Sequence, residues 1–96
     1  MLKITTVESP RCRQLVVEGK LIEPWAAAEL TRAWENAKAD LNGRDLIVDL
    51  RSLTAVGPDG EDVLLQLMRE KVKLRCGLFI KELIRSLRRR RLSTSD

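Results

Sequence analysis

Histidine and tyrosine are absent from this chain, phenylalanine occurs once, and cysteine twice in 96 residues. Without histidine the commonest general base is missing, and without tyrosine a common acid. Ser9, Ser52 and Ser86 stand in no nucleophile motif. Asp45 and Asp49 are the one carboxylate pair with a spacing worth weighing for acid–base work. Four residues apart on a strand, they share a face at the two ends of an apolar segment, and solvation of the strand ends accounts for both. No enzymatic activity is predicted. Cys12 and Cys76 lie far apart, with no CxxC beside either. A zinc centre takes about four N or S ligands, so this pair cannot build one, and no metal or cofactor is implied. A single disulfide is allowed, but two free thiols in a reducing compartment are the plainer reading. Glycine and proline are scarce, which excludes low-complexity sequence. No apolar run approaches the ~20 residues that span a bilayer. Met1-Leu2-Lys3-Ile4 runs directly into Thr5 and Thr6, so the start has no signal-peptide pattern. A cytosolic protein is expected.

What is present fits one small globular domain. Hydrophobic residues make up 44% and charged residues 33%, too apolar a mixture for disorder. A chain this short buries somewhat over roughly 60% of its unfolded surface, enough for one modest core. The net charge of +4 is unevenly spread. Residues 1–77 hold 12 Lys/Arg against 12 Asp/Glu. Residues 78–96 hold the six cations Lys81, Arg85, Arg88, Arg89, Arg90 and Arg91 against Glu82 and Asp96, which is the whole excess. A neutral body, residues 1–77, therefore leads into a basic C-terminal stretch; the single domain is read as residues 1–87 and residues 88–96 as a basic tail, frayed or disordered.

Along the chain, Leu2, Ile4 and Thr6 alternate with Lys3 and Thr5, the period of a half-buried strand. Ser9 and Pro10 break it. Residues 14–21 are β-rich, and so short a connection predicts an antiparallel hairpin. Pro24 suits the first position of a helix. From there to Leu41, Leu30, Ala33, Trp34 and Ala37 recur at helical spacing, and Asn42-Gly43 supplies a left-handed stop. Residues 45–50 form a strand with an apolar middle, as a parallel sheet covered on both faces requires, which makes a βαβ crossover. Gly57-Pro58-Asp59-Gly60 is a dense turn, with Asp59 placed to cap a helix whose stripe is Val63, Leu64, Leu67 and Met68. Residues 71–76 alternate as a fourth strand. Phe79, Ile80, Leu83, Ile84 and Leu87 mark a last amphipathic helix. The core predicted from this pattern includes Ile4, Leu15, Val17, Leu30, Trp34, Ala37, Leu46, Val48, Val63, Leu67, Leu74, Phe79 and Leu83. Trp25, in the first turn of its helix, is a candidate exposed anchor.

Three stretches carry a resemblance. Leu15-Val16-Val17-Glu18-Gly19-Lys20-Leu21, Asp45-Leu46-Ile47-Val48-Asp49-Leu50, and Val56-Gly57-Pro58-Asp59-Gly60-Glu61-Asp62-Val63-Leu64-Leu65 come in an order and spacing that resembles the STAS, or anti-sigma-factor antagonist, family. The likeness covers roughly residues 2–87. It implies an α/β fold, a small four-stranded mixed sheet in the order β-β-α-β-α-β-α with helices packed on it. It also implies a non-catalytic protein–protein interaction domain in bacterial signalling and transcription regulation, whose partner is an anti-sigma or kinase-like regulator. The docking face implied is Gly57, Pro58, Asp59, Gly60, Glu61 and Asp62. In regulated members the serine before the glycine is phosphorylated; here Asp59 occupies that place, so the serine switch is absent. The family usually adds a strand and a helix after its third helix, which residues 88–96 do not supply.

Other readings stay open. Asp59 is either a helix cap or a partial mimic of phosphoserine, with one charge against nearly two. Nucleotide binding at the same turn is disfavoured, because Asp59, Glu61 and Asp62 crowd it with negative charge. Lys81, Arg85 and Arg88-Arg89-Arg90-Arg91 make a candidate anion-binding tail for nucleic acid, an anionic membrane or an acidic protein, if they are more than a solvated surface. Exposed strand edges would also allow a self-associating homo-oligomer.

Overall fold

A computed structural model describes residues 2–70 and 72–93, the last four as helical backbone. The elements are β1 (Leu2–Glu8), β2 (Cys12–Leu21), α1 (Pro24–Lys38), β3 (Asp45–Val56), α2 (Pro58–Arg69), β4 (Lys73–Arg75) and α3 (Leu78–Ser93). The order is the expected β-β-α-β-α-β-α. The strands form one mixed sheet in the order β1-β2-β3-β4. β1 and β2 are antiparallel from Leu2↔Gly19 to Glu8↔Arg13. β2–β3 and β3–β4 are parallel, so α1 and α2 are crossovers between neighbouring strands. Two right-handed crossovers advancing in one direction put both helices on the same face of the sheet.

That face holds the core. Leu15 and Val17 of β2 and Val48 and Leu50 of β3 are buried beneath Leu30 and Trp34 of α1 and Leu64 and Leu67 of α2. Each such side chain contributes about 1.5–3 kcal/mol when fully buried. The alternate residues Gln14, Val16 and Glu18 are only half-buried, as is Ile47. Val16 and Ile47 do not pack on the core, and among the described residues no helix covers the second face of the sheet, where coverage on both sides was expected.

Other corrections concern element bounds. β3 runs to Val56 rather than Leu50, because Leu53 turns into the core and the strand stays paired with β2 as far as Leu21↔Val56. Register shifts along β2 absorb the mismatch, and Gly19 at φ 101° supplies backbone that few other residues adopt. β4 shrinks to Lys73–Arg75, paired on one side only, opposite Ile47, Val48 and Asp49. α1 ends at Lys38, before the Asn42-Gly43 stop, since Ala39 is extended and Asp40 turns left-handed at φ 58°. Arg13 meets the helix end there: its Nη1 donates to the carbonyls of Ala37 and Ala39 at 2.9 and 2.7 Å. Those are carbonyls that an ending helix leaves without intrahelical donors. Glu8 pairs with both Arg13 and Arg44, and these arginines hold its carboxyl below the usual range.

α3 is turned relative to expectation. Ile80, Ile84 and Leu87 are buried, whereas Leu78 is 79% and Phe79 48% exposed. Leu78, Phe79, Ile80, Leu83, Ile84 and Leu87 offer more than one apolar stripe, and the stripe one residue past Phe79 faces the core. Ile4, Leu46, Val63, Leu74 and Leu83 are half-buried at the margin of the core. Helix, not irregular chain, occupies 88–93: Leu87 anchors the last turns and arginine is a good helix former. Residues 94–96 of the expected tail lie outside the described residues.

Candidate protein-binding lip at the start of the second helix

β3 ends at Val56 and α2 begins two residues later, above the ends of the two inner strands. Gly57, in an extended conformation, is the N-cap. Its N–H donates to the carbonyl of Leu21 at 2.8 Å, and its own carbonyl accepts from Glu61 N–H at 2.9 Å. Pro58 takes the first helical position, where its missing N–H costs nothing. Asp59 therefore stands inside the first turn and makes no capping hydrogen bond. The capping role expected of it is corrected: proline at the first position moves the cap back to Gly57. Asp59 and Glu61 in the first turn still complement the helix dipole, for about 0.3–1 kcal/mol each at most.

The six residues of the predicted face divide by exposure. Pro58, Asp59 and Asp62 are exposed, Gly57 and Glu61 half-buried, and Gly60 buried. Gly60 is there for packing. A Cβ on it would sit 2.6 Å from the carbonyl oxygen of Leu21 and 2.8 Å from Leu21 Cγ. A Cβ on Gly57 would meet the backbone of Ile22 at 3.1 Å. The two glycines thus let α2 start against the β2–α1 connection. The register Leu21↔Val56 brings that connection alongside the lip. Its Ile22 is 44% and Trp25 53% exposed. Trp25 also walls a shallow groove with Leu2, Ile4 and Glu29. An acidic helix start flanked by exposed apolar side chains has the make-up of a binding rim beside an anchor.

The basic residues lie elsewhere. Lys81, Arg85 and Arg88 are exposed on α3 and line a groove with Met68, about 15 Å along the α2 axis from Pro58. Arg85 pairs with Glu82 at 3.5 Å, and Arg89 is exposed. Arg90 and Arg91 have no side-chain description. The buried stripe of α3 is spent on the core; among its described apolar side chains, Leu78 and Phe79 of the first turn stand exposed.

The carboxylate pair of β3 does not form a site. Asp45 is exposed and bonded to Lys73 Nζ at 2.9 Å. Asp49, expected at a solvated strand end, is only 5% exposed, because β3 continues past it. Its oxygens accept from Arg51 Nε at 3.0 Å, Arg51 Nη2 at 2.8 Å, the Arg51 N–H at 3.0 Å and Gln14 Nε2 at 3.1 Å. The bond from the Arg51 side chain is the chief cause of a lowered pKa, opposed by burial. Asp49 is a fixed charge, not a proton carrier. Sequence reasoning missed it; the signal available was arginine two residues on, the same-face neighbour in a strand. Among the described residues no cluster could hold a metal ion, and no helix is long and apolar enough to cross a membrane.

The fold has a solved counterpart. A crystal structure described as an antisigma-factor antagonist, a STAS domain from Rhodobacter sphaeroides, superposes with a TM-score of 0.53 at 20% identity. The match covers 78% of this chain and 84% of that one. No family model and no curated protein sequence matches. The chain has the STAS fold.

Proposed function

We propose that this protein is a non-catalytic regulatory module that binds another protein through the start of α2. The observation that carries this is the lip itself: Pro58, Asp59 and Asp62 stand exposed at the start of a helix, beside Ile22 and Trp25. Support comes from the fold shared with an antisigma-factor antagonist. The partner by this reading is an anti-sigma or kinase-like regulator presenting a basic, partly apolar patch. Asp59 replaces a switchable serine with a permanent single charge, so binding is constitutive rather than gated by a kinase. Charge at such a rim acts on association rate and register more than on total affinity.

The test is capture of partners by the tagged protein, compared with Asp59→Lys and with Arg85→Glu. Asp59→Lys lowers retention of the principal partner by about tenfold, an expected loss for a disrupted contact. Arg85→Glu leaves it unchanged. The reverse pattern supports a second reading, a basic-helix module for nucleic acid. That reading is favoured by the exposed Lys81, Arg85 and Arg88 followed in the same helix by Arg89, Arg90 and Arg91. Its affinity would fall steeply with added salt.

A further inference from the structure

We infer that the groove between α2, β4 and α3 is a binding site for a small amphiphilic anion, an organic carboxylate or phosphate ester with an aliphatic body. The groove encloses about 570 Å³, within the range of small-molecule sites. Its floor is apolar: Met68 from the end of α2, Val72 and Leu74 around β4, and Ile84 from α3. Its rim carries Lys73, Lys81, Arg85 and Arg88, with no carboxylate among the lining residues. Lys73 is shared with Asp45, and Arg85 loosely with Glu82. Neither Lys81 nor Arg88 has a carboxylate partner among the described residues, and Lys81 acts instead on the neutral Cys76 thiol. Two uncompensated cations above an apolar trough match a ligand with one charged end and one greasy end, since the apolar body loses water while the head gains charge-assisted hydrogen bonds.

Cys76 sits on the same floor, half-buried at the end of β4. Burial pushes its thiol up, so it stays neutral near pH 7 and adds no negative charge against the ligand. The groove lies away from the lip, so its occupant and the protein partner can be bound together. The groove's lining residues come from α2, from β4 and its flanks, and from α3, which no single motif joins in the sequence.

Cys76 supplies the readout. Labelling of the intact protein by a thiol reagent is followed at mildly alkaline pH, with Cys12 as the internal reference. The probes are monomeric decanoate, decyl phosphate, decyltrimethylammonium, a short single-stranded oligonucleotide and anionic phospholipid vesicles. Decanoate and decyl phosphate slow labelling of Cys76 saturably and spare Cys12, while the cationic amphiphile does neither. Lys81→Glu with Arg88→Glu, both at exposed positions that the fold does not use, weakens protection by about tenfold or more, the loss expected for a charge-assisted contact. Far-ultraviolet circular dichroism shows the variant folded. Three outcomes overturn the site: no saturable protection by the soluble anions, equal protection by the cationic amphiphile, or protection only by the oligonucleotide or the vesicles.

Discussion

The second and third helices are alike inside and opposite outside. α2 buries Leu64 and Leu67, and α3 buries Ile80, Ile84 and Leu87, in one continuous core. Outward, α2 opens with Asp59 and Glu61 in its first turn, whereas α3 has no acid there and presents Lys81, Arg85 and Arg88. The buried faces are interchangeable in chemistry and fix the fold. The exposed faces are not interchangeable, and they divide the surface into an acidic lip, the proposed protein-binding site, and a cationic groove, the proposed anion site. The comparison shows that net charge is a poor guide here: +4 for the chain conceals two patches of opposite sign.

Equivalence of the inner faces can be broken most severely by truncation. Leu67→Ala and Ile80→Ala are each expected to cost about 2–5 kcal/mol, read as a lower urea midpoint, because both side chains are fully buried. A loss confined to Leu67→Ala would show that α3 is only loosely attached. Gly60→Ala comes next, at about 1–3 kcal/mol, because the new methyl drives into the carbonyl oxygen of Leu21 as well as into its fully buried side chain. Its contrast is Phe79→Ser at the exposed start of α3, expected within about 0.5 kcal/mol despite the loss of the chain's one phenylalanine.

Asp49→Asn sharpens the account from the open face of the sheet. It is expected to cost about 1–2 kcal/mol at neutral pH, a modest figure because Arg51 faces solvent and the pair is partly screened. The folded pKa of Asp49 lies below its unfolded value of about 3.9. Its contribution is therefore complete above that unfolded value and is lost as pH falls through the folded one. The substitution should flatten the acid limb of a stability–pH curve and leave the alkaline limb unchanged.

Much of this architecture was legible in the sequence, and most exceptions arise where contacts between distant residues decide the outcome. Pro24, the short hairpin and the Gly-Pro-Asp-Gly turn announce themselves locally, so element order and the place of the lip follow from residue chemistry. The length of β3 did not, because Asp49, Arg51, Ser52 and Thr54 interrupt its apolar pattern and only pairing with β2 carries it on. The rotation of α3 was hidden for the opposite reason: Leu78, Phe79, Ile80, Leu83, Ile84 and Leu87 offer several stripes, and packing selects one. The capping error came from weighing Asp59 without its proline neighbour. Gly60 looked like part of a binding turn because Leu21, which excludes any side chain there, is distant in sequence. The cations Lys81, Arg85 and Arg88 stood out in the sequence, but the apolar floor beneath them did not, since three elements assemble the groove.

The proposed function requires the lip to be the surface that meets a protein. The direct measurement places a photo-crosslinking residue at position 59, or at position 85 as the comparison, and identifies what each captures in cells. Crosslinking from 59 to a single regulatory protein, with none to that protein from 85, is the predicted result. Capture of that partner from 85 alone would move the interaction to the third helix and contradict the account.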